Sequence, residues 1–543
     1  MRSTLRASLF IALAACASQS DPQGQCETGK CDGDARATPK LCAAVRGNGQ
    51  LITAHFASLA RITEHYGLID AAAGGSSGSI TIFMTESIRK NPNIWSCGGY
   101  DCTESETAAR AALLLKSFPG YLQHLTTTKE AAAFLQLQPV VAKLQASGAE
   151  GLLETDVEAA RQAVLDVLAS EDLRELINPE LVELVEQSPD PAFHIRDLLE
   201  SAKKLGNFSV DSDLIFIRPG LINFESVADK LGRAGSFYAG YGPADNERMT
   251  SWLEACAEPG RGKTWFEVAA LPAGASTCGE ELQSMIGEYR TAFLASPSVH
   301  SRIDDKIGEV MPALISTSVV TGDSVDAWKA SREAYKAATS LPLDVKFDDV
   351  KFGYFGSARD LATVAKNGRG YTDPKTKKFK SLGEATWRQA ISLSPAEPGL
   401  ARALELPSGD LSFGGWSDLA PALVLENLGC EKVVYVTRTG DESQFAIGIA
   451  ELLGMDATTK TALYDLDNPE SSFSKSLSES DAAWCTNWND QSATDLPGIT
   501  ADSYDAPMES ADAFFTKGDN AYGKVSASIN KRGCSAPRGA AAN

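Results

Sequence analysis

The chain has 543 residues, 43% hydrophobic and 22% charged, enough to bury at least one large core and, on length, roughly two or three domains. That balance sets aside a disordered polymer. A net charge of −21 sets aside nucleic acid as a partner and also broad electrostatic adhesion to an anionic bilayer, since both need clustered lysine and arginine.

At the N-terminus, Arg2 and Arg6 precede a short apolar run over Leu9 to Ala15. This is the pattern of an export signal, predicted over residues 1–15. The run closes on Leu13-Ala14-Ala15-Cys16, which resembles the bacterial lipobox. That resemblance implies that Cys16 is lipidated and becomes the first residue of an anchored protein in the cell envelope, the outer membrane being favoured by Ala17. Residues 16–40 are polar and rich in Gly, Asp and Ser, as a tether would be. No later segment reaches the apolar length needed to span a bilayer.

The short apolar run Leu41-Cys42-Ala43-Ala44-Val45 predicts a buried strand. It leads into Gly47-Asn48-Gly49, a turn able to leave backbone amides facing a cavity. Ile52, Phe56, Leu59, Ile62 and Tyr66 then recur at helical spacing, with Gly67 as the stop. A second short strand runs into Ala73-Gly74-Gly75-Ser76-Ser77-Gly78-Ser79-Ile80. A serine between close glycines, after a strand and before a helix, is the pattern of a nucleophile elbow. The helix that follows would aim free N–H groups at an anion formed beside the serine. Either Ser76, in G-x-S-x-G, or Ser77, in G-x-S-G-S, fits the position of the nucleophile; Ser76 is preferred because Gly74, Gly78 and Ile80 then all fall in register.

Residues 105–205 are helical in pattern, with breaks expected near Pro119-Gly120 and Pro189, and form a helical insertion that is either scaffold or lid. Strands are expected at Leu214–Ile217, around Val350 to Phe355 and at Val433–Val436, the last after a helix over Leu419 to Leu428 that stops at Gly429. The loop Gly260-Arg261-Gly262-Lys263-Thr264 lacks the first glycine of a phosphate loop and is expected to be plain solvated chain. Asp465-Leu466-Asp467-Asn468 lacks the rest of a calcium loop and is expected to be a turn. From 455 to 543 the chain is rich in Ser, Asp and Asn, and an irregular, disulfide-tied extension is predicted.

Eleven cysteines, ten without Cys16, suit an oxidising compartment. Short spacing makes Cys26–Cys31, Cys97–Cys102 and Cys256–Cys278 natural pairs, with Cys485–Cys534 closing the tail. Cys42 and Cys430, beside predicted strands, are expected to be buried free thiols. His55, His65, His124, His194 and His300 are the only histidines, and none lies at ligand spacing. No metal and no cofactor are expected.

The order strand, glycine loop, helix, strand, serine elbow, helix resembles the patatin-like phospholipase family. The resemblance implies an α/β protein, a three-layer α/β/α hydrolase core over 41–454. It also implies a serine lipid acyl hydrolase, acting on phospholipids or lysophospholipids through a Ser-Asp dyad. Gly47, Asn48 and Gly49 would form the oxyanion hole, although Asn48, Leu51 and Ile52 depart from the family's G-G-G-x-R-G. The base is an aspartate opening a D-G-G motif, and here that motif is Phe413-Gly414-Gly415, after the small-residue stretch Ser392-Leu393-Ser394-Pro395. Asp418, five residues on, is the preferred replacement, Asp410 the second candidate, and a catalytically silent fold that binds lipid or a partner protein the alternative. Asp418 could equally cap the following helix.

Overall fold

Five apolar residues, all buried, open the sheet as strand β1, Leu41–Val45. The structure, a computed structural model, describes residues 38–47, 53–126, 174–188, 219–220, 222–241, 246–257, 301–320, 323–337, 350–367, 379–396, 403–415, 421–438, 479–486 and 510–515, with isolated positions between them. The leader, residues 16–37 of the tether, Leu214–Ile217, the Gly260–Thr264 loop and Asp465–Asn468 lie outside the described residues.

Helix α1 (Thr53–Tyr66) follows, ending at Gly67 with φ +106°, and the chain returns as β2 (Ala71–Gly75) parallel to β1. Helix α2 (Ser77–Lys90) leaves directly from that strand. A small hairpin of β3 (Ser96–Cys97) and β4 (Tyr100–Asp101) is tied by Cys97–Cys102. Helix α3 (Glu104–Thr126) runs straight through Pro119-Gly120, where a break was expected. Leu113, Leu114 and Phe118 are buried, and Phe118 meets Phe56 of α1 ring to ring at 4.6 Å. The opening of the predicted insertion is therefore core scaffold. Packing against α1 overrides the proline's preference to end the helix.

Four further helices carry the chain onward: α4 (Pro179–Gln187), α5 (Phe224–Tyr238), α6 (Asn246–Cys256) and, beyond strand β5 (Ala313–Val320), α7 (Asp323–Lys336). Cys256, at the end of α6, bonds Cys278 as the spacing predicted. Next come β6 (Val350–Phe355), α8 (Ala358–Asn367), β7 (Ser381–Gly383), α9 (Trp387–Leu393), β8 (Leu404–Glu405), β9 (Leu411–Ser412), α10 (Ala422–Leu428) and β10 (Lys432–Arg438). Gly429 ends α10 with φ +98°, the left-handed stop its position predicted.

With a final strand β11 (Ala482–Thr486), the result is an α/β fold around a nine-stranded mixed sheet, ordered β11-β10-β1-β2-β5-β6-β7, with β9 pairing β5 and β8 pairing β9. From β11 to β5 all neighbours are parallel, and β6 runs antiparallel to β5. The chain moves from β1 through β2 to β5 and later returns to the other side of β1 for β10. Right-handed crossovers place α2 on one face and α10 on the other. Accordingly α2 packs on β1, β2 and β5, whereas α10 packs on β1, β2 and β10.

Two expectations need correction. Residues after 454 are not irregular throughout: Ala482–Thr486 is strand β11, parallel to β10, with Trp484 buried, and Phe514 of the short helix α11 (Ala511–Phe514) stacks on Tyr66 of α1. Polar composition on either side hides a five-residue apolar strand that the sheet edge recruits. Cys42 and Cys430 are not free thiols: they form a disulfide joining β1 to the turn before β10, because those strands are neighbours in the sheet. The pairing of Cys485 with Cys534 lies outside the described residues.

Candidate active site

Ser76 has φ 51° and ψ −128°, the only non-glycine residue with positive φ among those described. An L-residue held there costs on the order of 1–3 kcal/mol, so the surroundings must enforce it. They do so from three sides. Underneath, Ser79 donates to the Ser76 carbonyl from both its N–H (2.9 Å) and its Oγ (2.6 Å). From the side, the Ser76 N–H donates to Ser394 Oγ at 2.8 Å, and Ser394 Oγ donates in turn to the Ser316 carbonyl at 2.7 Å. Ahead, Gly415 packs so closely that a methyl group on it would stand 2.5 Å from both the Ser76 nitrogen and Ser394 Oγ. Ser76 is the apex of the turn, and Ser77 is already the first residue of α2.

The glycines do the work the sequence assigns to them. A Cβ on Gly74 or Gly78 would meet the Val45 carbonyl at 2.7 or 2.9 Å, so larger residues would push β1 and the elbow apart. Gly47 lies against the serine itself: its own Cβ would be 3.1 Å from that of Ser76. The first glycine of the candidate oxyanion loop is thus at the candidate nucleophile, while Asn48 and Gly49 lie outside the described residues.

Strand β9 brings the Phe413-Gly414-Gly415 motif to the same place. It pairs antiparallel with β5 beyond the end of β2, with Ser412 opposite Val319. The ladder continues through Phe413 N–H to the Ser318 carbonyl (3.0 Å) and Ser318 N–H to the Gly414 carbonyl (2.7 Å). Gly75 is itself paired with Ser316, so β2 and the β9 extension meet head to head at Gly75 and Gly415. Buried hydroxyls satisfy this junction: Ser318 Oγ donates to the Gly414 carbonyl, and Thr317 and Ser412 share a 2.6 Å bond.

The base is not among these groups. Phe413 is 1% exposed and belongs to the core. Asp410 lies five residues before Gly415, with the chain turning between them at Gly414, φ +89°. It accepts from Ser408 within the β8–β9 hairpin turn. Asp418 lies outside the described residues. Among the described residues no carboxylate or imidazole bonds Ser76 Oγ. His55 is fully buried and bonds Thr81 Oγ1 at 2.9 Å, joining α1 to α2.

Sequence reasoning missed one charged neighbour. Arg46, between β1 and Gly47, extends the ladder with its N–H on the Val436 carbonyl (3.1 Å), and its side chain is 8% exposed. No sequence signal marks it, because what distinguishes it is that no carboxylate among the described residues pairs with it. Among the described residues no cluster of three His, Cys, Asp or Glu could hold a metal, and no helix is long and apolar enough to cross a membrane. No protein-family model matches this chain, and neither a curated protein nor a solved structure matches it.

Proposed function

We propose that the protein is a patatin-like serine lipid acyl hydrolase, cleaving fatty-acyl esters of phospholipids or lysophospholipids. The observation that carries the reading is Ser76: a non-glycine residue held at φ 51° at the head of a buried helix, with Gly47 against one side and Gly415 against the other. An α/β sheet ending in such a turn supports nucleophilic catalysis, since backbone strain is retained where function needs it, and Ser76 itself is 2% exposed.

In this reading Ser76 Oγ attacks the ester carbonyl carbon. Backbone amides of the Gly47-Asn48-Gly49 loop, with the Ser77 N–H at the head of α2, hold the developing oxyanion. Asp418 takes the serine proton, returns it to the departing alcohol and then activates the water that releases the fatty acid. No metal or cofactor takes part. Lipidation of Cys16 would hold the enzyme at the envelope membrane that carries its substrate.

Labelling of the purified protein by a fluorophosphonate, followed by acyl release from phosphatidylcholine, tests the proposal. Labelling lost in Ser76→Ala and kept in Ser77→Ala is the expected outcome. Phe413 in the place of the family's aspartate favours a second reading, a silent fold that binds lipid or a partner. A wild type that neither labels nor releases acyl chains would establish that one.

A further inference from the structure

Four arginines among the described residues are at least nine-tenths buried: Arg46, Arg110, Arg302 and Arg332. Three have carboxylate partners. Arg302 reaches Glu86 at 2.6 Å and Asp305 at 2.9 Å, Arg332 pairs with Glu180, and Arg110 has Glu254 at 3.9 Å as well as the Asn93 and Ser96 carbonyls. Arg46 is the exception. No described carboxylate pairs with its guanidinium, and its Nε, like that of Arg302, is shielded from solvent without a hydrogen-bond partner. A guanidinium cannot shed its proton to escape burial, and a buried unpaired charge is strongly unfavourable. Such a charge is stabilised when an anion arrives.

Its place in the fold says where that anion would sit. Strand β1 goes forward to β2, and β10 lies on its other side after the chain has reversed direction across the sheet. The carboxyl ends of β1 and β10 therefore flank the topological switch point, where open α/β sheets form their ligand crevice. Arg46 stands at that point, bonded through its N–H to Val436 of β10. Val45 faces Gly78 of α2, so strand alternation assigns Arg46 to the opposite face, the one α10 covers. The next residue, Gly47, touches Ser76. A long side chain next to the glycine that touches Ser76 suits a group a few bonds from the scissile ester.

We propose that Arg46 is the recognition point for a phosphodiester carried by the ester substrate. It would hold the phosphate bidentately on the α10 side of the sheet while the acyl carbonyl lies at Ser76. The proposal rests on the acyl-hydrolase reading for the source of the phosphate, but the anion site itself does not.

The test uses the mature full-length chain as wild type, Arg46→Met and Arg46→Lys, with binding and turnover measured separately. By calorimetry, wild type should bind glycerophosphocholine, Arg46→Met should bind it about tenfold or more weakly, and Arg46→Lys should fall between, since lysine keeps the charge without the fork. In turnover, the preference for phosphatidylcholine over diacylglycerol, taken as the ratio of kcat/KM values, should fall about tenfold or more in Arg46→Met. Loss of both substrates in equal proportion would show a structural residue and overturn the proposal. So would equal binding of glycerophosphocholine by wild type and Arg46→Met, or binding of inorganic phosphate with no binding of the diester. Should wild type cleave no ester at all, the hydrolase reading fails, and the calorimetric arm still decides the anion site. A melting temperature for Arg46→Met well below wild type without ligand would reveal an internal partner, and that too sinks the idea.

Discussion

The two ends of helix α2 are built on opposite plans. At its C-terminal half the charges are closed on one another. Glu86, fully buried, receives Arg302, the Trp387 indole N–H and the Val310 N–H, while Arg302 also reaches Asp305, which Lys90 and Tyr241 bond in turn. At its N-terminal end, about 15 Å from Glu86 along the axis, the residues are Ser, Gly and Ser, the backbone is strained at Ser76, and the neighbouring Arg46 has no counter-charge among the described residues. One end is a finished lock that fixes the helix; the other leaves donors and a cation unsatisfied at the crevice. Rigidity at one end is what allows the other to keep its strain.

The largest effect expected from breaking this contrast is at the serine. Ser76→Ala should reduce acyl release by about 10⁴-fold or more, with folding checked by melting, while Ser77→Ala should keep most of the activity. Next is the base: Asp418→Asn should lower turnover by about 10²- to 10⁴-fold, whereas Asp410→Asn, in the hairpin turn, should stay within about twofold. Comparable losses in the two variants, or a loss in Asp410→Asn alone, would remove the assignment of Asp418.

How much of this was legible in the sequence follows from where the signals are local. β1, α1, β2 and the elbow could be read because apolar runs, helical spacing and glycines lie within a few residues of each other. Strand β5, which carries half the site, was missed. Its run Ala313–Val320 is interrupted by Ser316, Thr317 and Ser318, and those hydroxyls are there to bond the Gly415 junction, Ser412 and Gly414. The polarity that hid the strand is the polarity the site uses. The Glu86–Arg302 lock joins residues 216 apart in the chain, and no spacing rule finds it.

Two stability measurements sharpen the comparison further. Glu86→Gln leaves Arg302 with one carboxylate fewer in a fully buried site and should cost about 3 kcal/mol by denaturant unfolding, with the site chemistry lost only through unfolding. Gly415→Ala forces its methyl group into the Ser76 nitrogen and should cost about 2 kcal/mol. It should also diminish fluorophosphonate labelling at temperatures where the protein is still folded. The smallest effect belongs to Arg46→Met without ligand, expected within about 0.5 kcal/mol of wild type or more stable. If Arg46→Met were as damaging as Glu86→Gln, the two ends of α2 would not differ in kind.

The Cys42–Cys430 bond spans 388 residues and closes across the middle of the sheet. On a chain-entropy view a ring of that size stabilises by on the order of 5 kcal/mol, drawn from the unfolded ensemble. It also changes what a protease can achieve. A cut in any loop between the two cysteines leaves both fragments on one covalent scaffold, with β1 and β10 still side by side. Cleaved protein should run as two bands only after reduction, and before reduction it should retain fluorophosphonate labelling. Were the protein exported, as its N-terminal pattern suggests, that arrangement would let it lose the continuity of its backbone and still keep β1 and β10 together.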